Sequence, residues 1–174
     1  MIRTFARAAT AAVSLALFAV PAFAHVTLQT PEAHVGAGYK AVLRVGHGCD
    51  GNATTTIRVK VPEGFLNAKP QPKAGWTLDI TKGKYAKSYT LYGSEVTEGA
   101  LEITWSGGNL PDDQYDEFAL NGTLAADLDQ SAPLYFPVVQ TCTTGENAWI
   151  DTSGSEDGEP APGLRLLPPA EADH

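Results

Sequence analysis

The side chains best suited to chemistry in this chain are its histidines and its two cysteines, and the first to consider is His25 because of what precedes it. Arg3 and Arg7 stand in a segment without acids, an apolar run follows from Ala8 to Val20, and Pro21-Ala22-Phe23-Ala24 ends it with a small-x-small cleavage site. These are the parts of a signal peptide over residues 1–24. The run is shorter than the about 20 apolar residues that span a bilayer. We therefore expect a periplasmic or secreted protein without a membrane span, cleaved after Ala24 so that His25 becomes the amino terminus. A free amino-terminal histidine offers its α-amine and its ring Nδ1 to one metal ion, closing a chelate ring within a single residue. Both nitrogens can be neutral near pH 7, given reference pKa values of about 7.7 and 6.5. Copper(II) binds such donors more tightly than other first-row divalent ions do. The plain alternative is that His25 is only the residue that happens to follow the cleavage site.

The second cluster is His47-Gly48-Cys49. Cys49 and Cys142 lie far apart in a chain expected to fold where thiols oxidise, so we expect them to form a disulfide. In the chain-entropy picture a loop of that size stabilises the fold by on the order of 4 kcal/mol. A Cys49 thiolate ligating a soft metal beside His47 is the alternative. The carboxylates of Asp112-Asp113-Gln114-Tyr115-Asp116-Glu117 do not follow calcium-loop spacing and read as a solvated acidic turn, with Tyr115 and Phe118 reaching the core. His34 reads as a solvated loop histidine and His174 as the inert end of the chain.

The elements that must position these residues read as strands. Short β-branched and aromatic runs are separated by Gly, Pro, Asn and Asp, and no long stretch has helical period. The clearest run over 39–45, 54–61, 76–80, 88–92, 100–105, 117–125 and 134–140, with shorter ones near His25 and Trp149. Ile57, Val59 and Val61 point to one face while Thr56, Arg58 and Lys60 point to the other. Pro62-Glu63-Gly64 and Gly107-Gly108-Asn109 read as turns. Together these predict an all-β fold, an immunoglobulin-like or cupredoxin-like β-sandwich of about seven to nine short strands. The expected organisation is one such domain over 25–152, followed by an acidic, proline-rich, flexible tail over 153–174.

Charge narrows the function classes. Without Arg3 and Arg7, ten basic residues face twenty acidic ones, a formal net charge of −10. That surface repels nucleic acid and anionic lipid and attracts cations. No serine–histidine–aspartate arrangement, P-loop or nucleotide motif is present, and we expect no enzyme.

Over nearly the whole of 25–152 the sequence resembles the YcnI-like exported copper-binding domains. The matching stretches are His25-Val26-Thr27-Leu28, His47-Gly48-Cys49-Asp50-Gly51, Val61-Pro62-Glu63-Gly64, Gly75-Trp76-Thr77-Leu78, Ile103-Thr104-Trp105-Ser106-Gly107-Gly108, Leu110-Pro111-Asp112, Tyr115-Asp116-Glu117-Phe118 and Tyr135-Phe136-Pro137-Val138-Val139-Gln140, with Cys142 and Trp149. The resemblance implies copper(II) held by His25 in a one-histidine brace, with a carboxylate and a tryptophan completing the site. The family has a glutamate roughly where this chain has His47-Gly48-Cys49-Asp50, which puts Asp50 in the carboxylate role. His47 is its rival and would make a two-histidine arrangement. Trp149 matches the tryptophan; an aromatic plug in the core is its other reading. The resemblance further implies periplasmic copper trafficking or homeostasis, with hand-off to another exported copper protein such as a copper chaperone or an oxidase assembly factor. A metal-free interaction module of immunoglobulin type is the alternative. A copper monooxygenase is a third class, which would need a second equatorial histidine from His47 or His34.

Overall fold

The computed structural model describes residues 25–155 and 158–170. The expected signal peptide and its cleavage site lie outside the described residues, as do Glu156, Asp157 and His174. Among the described residues the fold is all-β, with no helix long and apolar enough to cross a membrane. In chain order the strands are β1 (Thr27–Leu28), β2 (Glu32–His34), β3 (Gly38–Val45), β4 (Thr54–Lys60), β5 (Phe65–Pro70), β6 (Thr77–Leu91), β7 (Ser94–Leu110), β8 (Asp116–Leu124), β9 (Leu134–Tyr135), β10 (Val138–Cys142), β11 (Glu146–Trp149) and β12 (Gly163–Leu167).

They form a four-stranded sheet in the order β1-β3-β8-β5, a five-stranded sheet β11-β10-β4-β7-β6, and a small sheet β2-β12-β9. The core gathers inward residues from these sheets, with Trp105, Phe65, Phe118, Phe136, Leu43 and Ile57 fully buried. The expected alternation holds in β4, where Ile57 and Val59 are buried and Arg58 and Lys60 exposed. Glycine at 64 has φ +87 and lets the Phe65 N–H donate to the Pro62 carbonyl, the turn expected there.

Twelve strands replace the expected seven to nine, and three differences, one of which merges runs while two add strands, separate the two. First, the runs expected at 76–80, 88–92 and 100–105 are parts of one long hairpin, β6–β7. Gly83 pairs with Gly99 across it. These glycines are not breaks: a Cβ at Gly99 would stand 1.9 Å from the Tyr85 hydroxyl, and one at Gly83 would meet Leu101. Gly107-Gly108-Asn109 is likewise not a turn but an irregularity inside β7, where Thr54 pairs with Leu110 and Thr56 with Ser106. Second, the run 134–140 divides at Phe136-Pro137, so that β9 joins β12 while β10 joins β4; a proline cannot donate to a continuing ladder. Third, β2 and β5 formed where no strand was expected, which puts His34 in a strand rather than a loop.

The flexible-tail expectation and the domain boundary at 152 fail at β12. It pairs parallel with β2 and antiparallel with β9, and Leu164 is fully buried with Leu166 nearly so. Leu164-Arg165-Leu166 alternates apolar and polar as a half-buried strand does, and the flanking Pro162 and Pro168 end the strand without interrupting it. The acidic turn is also partly corrected: Phe118 reaches the core, but Tyr115 is exposed, its hydroxyl donating to Glu117 and its ring under the Arg44 guanidinium.

Candidate metal centre

β1 brings His25, two residues before it, to the edge of the four-stranded sheet. Thr27 pairs with Arg44 and Leu28 with Leu43 on β3. Continued two residues, that register sets His25 level with Gly46, beside His47. From the five-stranded sheet β11 brings Trp149, paired with Val138 on β10. The three rings meet there: His25 and Trp149 centroids are 5.4 Å apart at 57° between planes, and His47 and Trp149 are 6.4 Å apart, edge-on at 86°. Trp149 is buried within the main core, as an aromatic plug would be, and both histidine rings lie against its indole.

His47 is held by its backbone and by its ring. Its Nδ1 faces the Gly48 carbonyl, which can only accept, so the contact suits an Nδ1–H donor and turns Nε2 away from that carbonyl. A ligating histidine commonly donates its other N–H to a carbonyl in this way. The His47 carbonyl accepts from Gln140 Nε2 at 2.7 Å, and the Gly48 N–H donates to Asp112 Oδ1 at 2.9 Å. Cys49 and Cys142 are disulfide-bonded, which fastens the His47 segment to the end of β10 and removes Cys49 as a thiolate ligand.

Asp50 stands apart. Cys49 and Asn52 exchange backbone hydrogen bonds, and Asp50 and Gly51 form the tip between them with φ 49 and 82. Aspartate tolerates that left-handed conformation and glycine favours it. The residue is exposed, and among the described residues no three His, Cys, Asp or Glu side chains gather as a metal-holding group. His25 also lines an open groove of about 660 Å³ with Pro31, Tyr135, Asp151, Pro162 and Arg165, which leaves space beside it. Hydrogen bonds from Ser153 hold the Asp151 carboxyl below the usual carboxylate range. His34 is elsewhere, its Nδ1 donating to the Pro168 carbonyl at 2.5 Å.

Sequence reasoning passed over Gln140 and the tie from Asp112. A signal for Gln140 was present: period-two alternation puts it with Val138 and Cys142 on the inward face of β10, where a carboxamide is out of place unless bonded.

Residues 25–166 match the family described as a domain of unknown function, DUF1775. A crystal structure of an uncharacterized protein from Nocardia farcinica, described as revealing an immunoglobulin-like fold, is similar with a TM-score of 0.59 at 28% sequence identity, over 82% of this chain and 98% of that one. No curated protein matches the chain. The chain thus belongs to the DUF1775 family of domains of unknown function, on an immunoglobulin-like β fold.

Proposed function

We propose that this is an exported copper(II)-binding protein of periplasmic copper trafficking or homeostasis, which binds its ion at His25 once cleavage after Ala24 has freed the α-amine. The observation that supports it is the packing of His25 and His47 on one buried indole, Trp149. The α-amine and Nδ1 of His25 with Nε2 of His47 make three nitrogen donors of the kind copper(II) prefers. In this reading His47, rather than Asp50, completes the donor set, and Trp149 shields one side. The resemblance to exported copper-binding domains supports the same ion. The groove beside His25 suits exchange with a partner copper protein, and protons competing for amine and imidazole would loosen the ion as pH falls.

The test is a copper(II) titration of the protein beginning at His25, followed by calorimetry and electron paramagnetic resonance, beside the same protein with one alanine added in front. One-to-one binding with nitrogen hyperfine structure is expected, and the added alanine should abolish it by turning the amine into an amide. His47→Ala should weaken binding by about tenfold or more, whereas Asp50→Ala should leave it unchanged. Equal binding with and without the added alanine would remove His25 from the site and place the ion elsewhere, and no binding in either would favour the metal-free interaction module.

A further inference from the structure

Gln140 is 1% exposed, one of three polar side chains buried among the described residues, with Thr54 and Thr123. Every polar atom of its carboxamide is engaged. Its Oε1 accepts from Trp149 Nε1 at 3.0 Å, and its Nε2 donates to the His47 carbonyl at 2.7 Å and to Thr54 Oγ1 at 2.8 Å. An indole N–H can only donate and a carbonyl can only accept, so these partners fix which end of the amide faces which. The peptide unit between His47 and Gly48 is thereby held at both polar ends, its carbonyl by Gln140 and its N–H by Asp112. Gly48 has no room for a side chain, since a Cβ there would lie 1.8 Å from the Asn52 carbonyl oxygen.

An apolar side chain of similar volume would fill the space between Val138 and Cys142 without the desolvation cost of an amide. What the amide adds is direction. We infer that Gln140 is the positioning residue of this site: its carboxamide joins the Trp149 indole to the His47 backbone and so sets where His47 stands relative to that ring. The role is distinct from metal ligation and from simple filling of the core. It deepens the copper reading and rests on it.

The test uses the protein beginning at His25, with copper(II) alone as probe. Gln140→Met keeps the volume and loses both ties. Gln140→Glu keeps an acceptor for the indole, but its carboxylate cannot donate to the His47 carbonyl. Both should keep the disulfide and melt cooperatively, both should bind copper(II) about tenfold more weakly, and both should show altered copper hyperfine structure. The Trp149 indole N–H resonance should move in Gln140→Met and stay near its place in Gln140→Glu. A folded Gln140→Met protein with the parent's affinity and hyperfine pattern would overturn the positioning role while leaving the copper reading intact. If Gln140→Met does not fold, Thr54→Val decides, because it removes one anchor of the amide without touching either histidine: an altered hyperfine pattern supports the role and an unchanged one overturns it. Absence of copper binding in the parent protein would overturn the copper reading, and the positioning role with it.

Discussion

At the scale of single residues, the segment His47-Gly48-Cys49-Asp50 shows how neighbours in sequence acquire unrelated tasks. His47 packs against Trp149, Gly48 makes room for the Asn52 carbonyl, Cys49 is crosslinked and Asp50 turns the chain. Residue type alone left Asp50 and His47 as rivals, because both are competent ligands and the direction of a side chain is set by the backbone around it. Gly48 is the residue least free to change. Gly48→Ala is expected to cost about 3 kcal/mol or more, since backbone rather than a flexible side chain occupies the position. Urea unfolding of the variant would measure this. A variant as stable as the parent would mean that the turn at Cys49–Asn52 gives way easily to a side chain at position 48.

At the scale of elements, the long hairpin β6–β7 was legible only in pieces. Its arms are largely exposed and polar and carry glycines, so neither hydrophobic alternation nor turn residues distinguish a continuous strand from two short ones. Pairing decides it, from Thr77 opposite Ser106 out to Leu91 opposite Ser94. The tip is Tyr92-Gly93, both at positive φ, as a two-residue type I′ turn requires. Tyrosine is a poor occupant of that first position. Tyr92→Asn should raise stability by about 1 kcal/mol, visible as a higher melting temperature. β12 was missed for the opposite reason: five strand residues lie between prolines in a segment whose composition reads as disordered. Burial of Leu164 and Leu166 is worth roughly 2–3 kcal/mol each, a large part of the 5–15 kcal/mol typical of a domain. A chain ended at Pro160 is therefore expected to lose cooperative unfolding when followed by circular dichroism. If it melts like the full chain, residues 161–174 are dispensable after all.

At the scale of the whole molecule, buried tyrosines link stability to alkaline pH. Tyr39 is buried with its hydroxyl donating to the Thr30 carbonyl, and burial pushes it up to about 12. Tyr85 and Tyr89 shift the same way, burial again being the first cause. Below about pH 10 both folded and unfolded chains keep the Tyr39 proton and its contribution is whole. From about pH 10 to about pH 12 the unfolded chain releases the proton and the folded one does not, so stability falls, by about 2–3 kcal/mol for Tyr39. Urea unfolding across that range should show the decline, and Tyr39→Phe should flatten it; an equal slope in the variant would assign the loss to other groups. What the sequence alone determined about this protein was its all-β class, the inward set of β4 and the pairing of its two cysteines, because strand alternation and a cysteine count are local or compositional properties. Tertiary structure alone decided that β6 and β7 are continuous, that β12 closes the small sheet, that Asp50 faces solvent and that Gln140 joins His47 to Trp149. Asp50 apart, which a local turn exposes, these depend on which distant segment lies alongside, as with Gln140 and His47, 93 residues apart, and the register of such a pairing is a property of the assembled sheets.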